Sequence, residues 1–362
     1  MSILIFICVI VALIVVHEFG HFIVAKLSGM RVDEFGLGYP PRALTIASVG
    51  ETLYTLNWLP FGGFVKIYGE DGDGAGPRTF SKRPRILQAL VLLAGITMNL
   101  LLAYVLITGA LIMGTPRALS DTEVVNARNV ELMVANVLPG SPAATAGLLA
   151  GDSILSAKDS VGEWRATDPK SFSSFVALGK GNPISLEVKR NGNEEYITVT
   201  PKEGLVDTDP FRYALGVEVG TIGTLPMSFI GAIIEGASLT WGAISLTAVG
   251  LAHFFYSVLT LTANFSQVAG PVGIAGAVGS ASASGLGNLL SIMAIISINL
   301  ALINLLPIPA LDGGRLLFVL IESVIRRPIK TSVANSINAV GFVFLVLLMV
   351  VVTAHDIFKI LK

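Results

Sequence analysis

One cysteine, Cys8, stands in 362 residues, and it lies inside an apolar run. No intramolecular disulfide can form and a four-cysteine zinc site is excluded, so any bound metal would have to be held by His, Asp or Glu. Charge is scarce as well. Only 14% of the residues are Asp, Glu, Lys or Arg and the net charge is -1, so the basic excess that a nucleic-acid partner requires is missing. A basic lead-in is absent before the first apolar run, Ile3 to Val16, which argues against a secretory signal. The run passes directly into His17-Glu18-Phe19-Gly20-His21 and Phe22-Ile23-Val24-Ala25, so a retained first span with polar residues inside it is expected.

What the chain has in abundance is hydrophobicity: 53% of its residues are hydrophobic and its mean hydropathy is +0.74, beyond the range of a water-soluble domain. Three further stretches are long enough for the roughly 20 helical residues that cross a bilayer. They are Ile86 to Met113, Leu289 to Leu306 with an extension to Asp312, and Ala334 to Ala354. Ser228 to Leu261 is apolar too, but Glu235, His253 and several Gly and Ser residues interrupt it, leaving a fifth span or a surface helix open. Lys26, Arg31, Arg42, Lys66, Arg78, Lys82, Arg83 and Arg85 follow span one, and Arg315, Arg326, Arg327 and Lys330 precede the last span. Basic loops stay cytoplasmic, so the N-terminus, the 116–227 segment and the C-terminus are expected outside. On that topology His17 and Asp312 both reach the inner half of the membrane only if 228–261 does not cross, which favours a surface or re-entrant helix there.

Between Val130 and Pro201 the pattern becomes that of a small β-rich domain. Ile184 to Arg190 and Tyr196 to Thr200 alternate as strands do, and Asn191-Gly192 between them is a hairpin turn signal. Val137 to Leu148 followed by Gly151-Asp152-Ser153-Ile154-Leu155 resembles the bacterial PDZ signature, which implies recognition of extended peptides. Thr52 to Leu59 and Gly63 to Tyr68, with Pro60-Phe61-Gly62 between them, are expected as a hairpin against the inner membrane face. Asp71 to Pro77 has a calcium-loop look without the bidentate Glu that an EF-hand needs, and is expected as a linker.

The expected fold is thus a polytopic α-helical membrane protein of about four transmembrane helices, with a membrane-associated β-hairpin or sheet and an inserted β-rich PDZ-like domain. Its parts are a membrane core in 1–115, with the hairpin at 51–69, and 286–362, a PDZ-like domain in 128–203, and an amphipathic or re-entrant connection in 204–285.

Chemistry concentrates in two places. His17 and His21 are four apart on a helix, so their imidazoles share one face and can bind one ion, with Glu18 beside the open position. Two imidazoles and a carboxylate in an apolar span are costly unless paired or metal-bound. Catalytic zinc usually takes three protein ligands, and Asp312 is the best candidate for the third. It closes Asn304-Leu305-Leu306-Pro307-Ile308-Pro309-Ala310-Leu311-Asp312-Gly313-Gly314, although Asp-Gly-Gly on its own more often reads as a turn or cap. His253 and His355 read as interfacial residues.

H-E-x-x-H in the first span with N-x-x-P-x-x-x-x-D-G in a late one resembles the paired signature of site-2 proteases. Further segments resemble its bacterial branch, typified by the regulator of sigma-E protease: Phe35 to Pro41 its glycine-rich loop, Ala94 to Asn99 its span-two motif, and Gly270 to Ile274 the loop before span three. The match is loose at Tyr39-Pro40, and 116–227 has room for one PDZ domain where many relatives have two.

The resemblance implies zinc (Zn2+) held by His17, His21 and Asp312, Glu18 as general acid and base, and Asn304 stabilising the developing oxyanion. It further implies a multi-pass protein of the bacterial plasma membrane that cuts spans of membrane proteins or peptides already shortened by another protease, such as anti-sigma factors or remnant signal peptides. A membrane zinc carrier and a catalytically silent PDZ scaffold are the alternatives; Glu18, a non-ligating acid, and the complete ligand set weigh against them.

Overall fold

The computed structural model describes residues 2–70, 74, 76–190, 192–205, 209–225, 227–260, 269–327 and 329–361. Most of the Asp71 to Pro77 linker, Asn191 of the expected turn, and Leu261 lie outside the described residues. The chain divides into two compact units, Met1–Met113 with Phe229–Lys362, and Gly114–Ser228.

The first unit is built on helices α1 (Ser2–Leu27), α2 (Arg85–Ile112), α5 (Phe229–Leu259), α6 (Pro271–Ala283), α7 (Leu286–Leu305), α8 (Asp312–Ile325) and α9 (Thr331–Leu361). Five of them, α1, α2, α5, α7 and α9, are long and apolar enough to cross a membrane. Val340, Phe342, Val343, Leu347 and Val350 on α9 are all more than half exposed, a surface that water would not tolerate and lipid would. Interior contacts join α1 to α6 and α7 through Val9, Leu13 and Val278, and α2 to α5 and α7 through Ala103, Leu106, Ala294 and Ile298.

Residues 228–261, expected as a helix, form one continuous helix from 229 to 259, whose 233–244 stretch packs on α2 with Tyr104 Oη donating to the Ile233 carbonyl at 3.2 Å. Its small residues allow that contact rather than ending the helix: Gly236 sits where a side chain would meet Thr108 Oγ1 at 2.4 Å. Gly270 to Ile274, read as a loop, opens α6, because Pro271 suits the first turn of a helix. Span three does not extend to Asp312. α7 stops at Leu305, the chain turns through Leu306 to Leu311, and Asp312 starts α8.

A two-stranded sheet of β1 (Val32–Val49) and β2 (Thr52–Ile67) packs on α1. Both strands are kinked into two runs. Residues 32–37 face 63–67 on one edge (Val32 opposite Ile67, Leu37 opposite Gly63) and 53–56 on the other (Glu34 opposite Leu53, Leu37 opposite Leu56). Residues 42–49 add to 52–57, with Val49 opposite Thr52. The 52–59 and 63–68 runs are therefore not partners in a hairpin: 34–37 lies between them, and 63–67 is left at an edge. Phe35 to Pro41, read as a loop, belongs to β1. Lys26 Nζ donates to Thr52 Oγ1 at 2.6 Å, and Phe22 stacks edge-on against Phe35 at 5.4 Å, fixing the sheet to α1.

The second unit is an open sheet of β3 (Arg117–Ala118), β4 (Arg128–Val137), β5 (Ser153–Lys158), β6 (Glu163–Trp164), β7 (Ile184–Arg190), β8 (Asn193–Val199) and β9 (Val217–Thr224) in the order β3-β9-β4-β5-β7-β8, with β6 beside β5. Helices α3 (Pro142–Thr145) and α4 (Pro169–Leu178) complete it. β3 and β9 fall outside 128–203, yet β9 pairs along β4 from Val137 opposite Val217 to Arg128 opposite Thr224. Alternation sets the core: Ile184, Leu186 and Val188 are fully buried while Ser185, Glu187 and Lys189 point away. Asp152 is the charged exception, its carboxylate taking Arg190 Nε at 2.7 Å, Arg190 Nη2 at 2.6 Å and Leu149 N–H at 2.9 Å. Burial alone would raise its pKa; the Arg190 fork and the Leu149 amide more than reverse this and hold it below the usual carboxylate range.

Candidate metal centre

The i, i+4 spacing puts His17 and His21 on the face of α1 that meets α2, where they are 6% and 8% exposed. Two glycines let the helices come that close. A methyl on Gly20 would lie 2.5 Å from the Ala94 carbonyl oxygen, and one on Gly95 would lie 2.3 Å from His21 Nε2 and 2.8 Å from His17 Nε2. The space a β-carbon would fill at Gly95 is the space the two imidazoles occupy.

Asp312 reaches the same point from α8. The turn that precedes it is compressed. Methyls on Gly313 and Gly314 would lie 2.2 Å from the carbonyl oxygens of Leu306 and Ile308, and Gly341 of α9 closes against Pro309 in the same way, at 2.5 Å from its carbonyl oxygen. The Ala310 amide, on a residue with φ +75°, donates to Asn338 Oδ1 at 3.2 Å. Asp-Gly-Gly is thus both a helix start and a packing device that aims the carboxylate.

His17 Nε2 lies 2.9 Å from Asp312 Oδ2, His21 Nε2 lies 3.2 Å from the same oxygen, and the two Nε2 atoms are 3.1 Å apart. Donors about 2.0–2.1 Å from a tetrahedral zinc ion stand roughly 3.3 Å from one another, so this near-equilateral triangle fits such an ion to within a few tenths of an ångström. Among the described residues these three form a His, His, Asp group able to hold a metal. His21 Nδ1 is anchored by the Val91 carbonyl at 2.8 Å, which leaves its Nε2 free as a ligand.

Two other residues expected at the site are beside it. Glu18 is half-buried on α1, its Cγ 3.7 Å from where a Gly63 methyl would stand, so the edge run 63–67 begins next to it. Asn304, in the last turn of α7, has its amide nitrogen 3.5 Å from His17 Nε2. α2 supplies what reasoning from the sequence gave no role: Gly95, the Val91 carbonyl, and Asn99, whose amide nitrogen is 3.3 Å from His17 Nδ1. The signal for Gly95 and Asn99 was the segment Ala94 to Asn99, which resembles the family's span-two motif. A cavity of about 670 Å³, lined in part by Gln88, Leu92, Arg315 and Glu322, lies beside α2 and α8.

The model of peptidase family M50 matches residues 5–348. A Clostridium perfringens protein named as a zinc metalloprotease is 38% identical over 347 residues, covering 96% of this chain and 95% of its own length. Zinc metalloprotease RasP of Geobacillus kaustophilus is 30% identical, with 99% of this chain and 98% of the relative covered. The chloroplastic membrane metalloprotease ARASP of Arabidopsis thaliana is 33% identical, over 89% of this chain and 71% of its own. With apolar helices of spanning length and predominantly bacterial relatives, the protein is a bacterial membrane protein. On this match, over nearly its whole length, the chain belongs to peptidase family M50, and it is an intramembrane zinc metalloprotease of the site-2 protease type.

Proposed function

We propose that His17, His21 and Asp312 hold the zinc ion, that Glu18 is the general base and then the general acid, and that Asn304 donates to the oxyanion formed at the scissile carbonyl. The convergence of three donor atoms within 4.8 Å of one another, with Glu18 beside them, carries this reading. A bound zinc ion supplies Lewis acidity, lowering the pKa of water toward about 7 and polarising a carbonyl. Glu18 takes a proton from the attacking water and returns it to the leaving amine, for which a half-buried carboxylate next to the donors is suited. The Asn304 amide is a neutral donor already aimed into the centre and needs no reorganisation as charge develops. The cavity beside α8 comes within one helical turn of Asp312 through Arg315.

A helical substrate hides its carbonyls in its own hydrogen bonds, so it must be extended before cleavage. The edge run 63–67 begins beside Glu18 and, among the described residues, pairs on one side only, with 32–37, which suits its other side to strand addition by an extended segment. Val65→Pro removes one ladder donor and is expected to reduce cleavage without reducing bound zinc; cleavage at the wild-type rate would remove the edge from the mechanism.

The finer assignments follow the charge pattern: a bacterial plasma-membrane protein with four spans, its centre toward the cytoplasmic side and α5 held against α2 and α7 without crossing. The 114–228 unit is a single PDZ-like domain on the outer side that screens the extracytoplasmic ends of substrates, and the substrates are membrane segments already shortened by another protease. Purified protein should cleave a membrane-span reporter, lose that activity to a zinc chelator and regain it on adding zinc. Activity that survives complete removal of zinc would contradict the proposal.

A further inference from the structure

Each of the two histidines has a second ring nitrogen, and the two meet different partners. His21 Nδ1 faces the Val91 carbonyl oxygen, which can only accept, so the proton sits on Nδ1 and Nε2 keeps its lone pair. His17 Nδ1 faces the side-chain amide of Asn99 at 3.3 Å. Asn99 is fully buried, and its Oδ1 has no hydrogen-bond partner among the described residues. The oxygen and nitrogen of an amide exchange places by a half-turn of a planar group, and the hydrogen-bond network decides which way round it stands. With the nitrogen toward His17, the amide donates into Nδ1, the imidazole proton moves to Nε2, and the atom facing Asp312 and His21 is no longer a ligand. With the oxygen toward His17, the orphaned Oδ1 gains a donor and His17 takes the same tautomer as His21.

We propose that Asn99 accepts a hydrogen bond from His17 Nδ1–H and thereby fixes the tautomer and ring angle of His17 for metal binding; the inference rests on the zinc-ligand reading above. Asn99 is a positioning residue, acting through His17. It is itself held: its backbone carbonyl accepts from Ser297 Oγ of α7 at 2.8 Å, which joins the orienting amide to the helix whose last turn carries Asn304. His21 has a main-chain anchor that side-chain substitution cannot remove, whereas the anchor of His17 is a side chain and can be tested.

Full-length protein is titrated with zinc against a competing chelator, and with cobalt to record its ligand-field spectrum, for the wild type and for Asn99→Asp, Asn99→Leu and Thr108→Val. Aspartate offers only acceptors at that distance, so Asn99→Asp is expected to keep wild-type zinc affinity and cobalt spectrum. Asn99→Leu is expected to bind zinc about 10–100-fold more weakly, the usual cost of losing the partner of a ligating histidine. Thr108→Val replaces another buried polar side chain of α2 that does not touch the histidines, and is expected to change neither. Zinc loss in Asn99→Asp equal to that in Asn99→Leu, or undiminished affinity in Asn99→Leu, overturns the proposal while leaving the metal centre standing. If Asn99→Leu does not fold, Asn99→Asp decides alone, with thermal unfolding of the zinc-free form showing that it is folded. A wild type that binds no zinc overturns both readings, and the two failures are thereby told apart.

Discussion

The two units solve the same problem in opposite senses. In 114–228 the interior is mainly aliphatic, with Leu132, Val134, Ile184, Leu186 and Val188 nearly or fully buried, and the buried polar residues, Ser141, Asp152, Ser153, Ser156 and Thr221, are small apart from Asp152. In the helical unit the exposed faces are aliphatic, and the polar residues His17, His21, Gln88, Asn99 and Ser297 are inside. Burial in water is driven by apolar area, whereas in lipid every polar group must find a partner within the protein. Of the buried polar residues of the helical unit, His17, His21 and Asn99 meet at the metal centre, while the buried charge of the β unit, Asp152 with Arg190, ties a turn to a strand.

The largest expected break in this comparison is at Gly95. Gly95→Val places a branched side chain where the imidazoles stand, so bound zinc and reporter cleavage should both fall below detection, while hydrogen exchange in 114–228 stays as in the wild type. In the β unit, Leu186→Ala should destabilise by about 2–5 kcal/mol, as emptying a filled core does, read by hydrogen exchange in the full chain with zinc content unchanged. Exposed positions sharpen the contrast further. Val343→Asp on α9 should cost about 2.5–3.5 kcal/mol for a charge in the bilayer, whereas Val161→Asp, more exposed still but in the β unit, should stay within about 0.5 kcal/mol. Membrane-insertion and thermal-unfolding assays measure the two; equal effects would erase the distinction between lipid-facing and water-facing surfaces.

The smallest effect is one of pH. The folded-state pKa of Asp152 is depressed, so its contribution to stability is complete above the unfolded carboxylate value of about 3.9 and is lost as pH falls from there through the folded value. Local opening around Gly151 to Ile154, followed by hydrogen exchange, should rise below about pH 4 in the wild type, with a shallower pH dependence in Asp152→Asn.

Much of the site was legible because its signals are local. H-E-x-x-H needs only one helical turn, and Asp312 stands next to the prolines and glycines that shape its approach. The α2 contribution was legible only as a motif, Ala94 to Asn99, with no role attached, because Asn99 and His17 are 82 residues apart and one amide in an apolar helix does not announce its partner. Spans α1, α2, α7 and α9 follow from apolar length alone. The 52–68 hairpin was misread because runs close in sequence usually pair, while here 34–37, from a segment dense in Gly and Pro, inserts between them. α5 was expected as a helix, but its depth was left open because Glu235, His253 and several Gly and Ser residues interrupt its apolar run.

The most direct test of the account compares purified wild type with Glu18→Gln for zinc content and for cleavage of a reporter whose membrane span is helix-destabilised. Glu18 is expected to move protons and not to bind the metal, so both proteins should hold one zinc per chain and only the wild type should cut. Cleavage by Glu18→Gln at the wild-type rate, or loss of zinc from it, would contradict the separation of ligand and base on which the account stands.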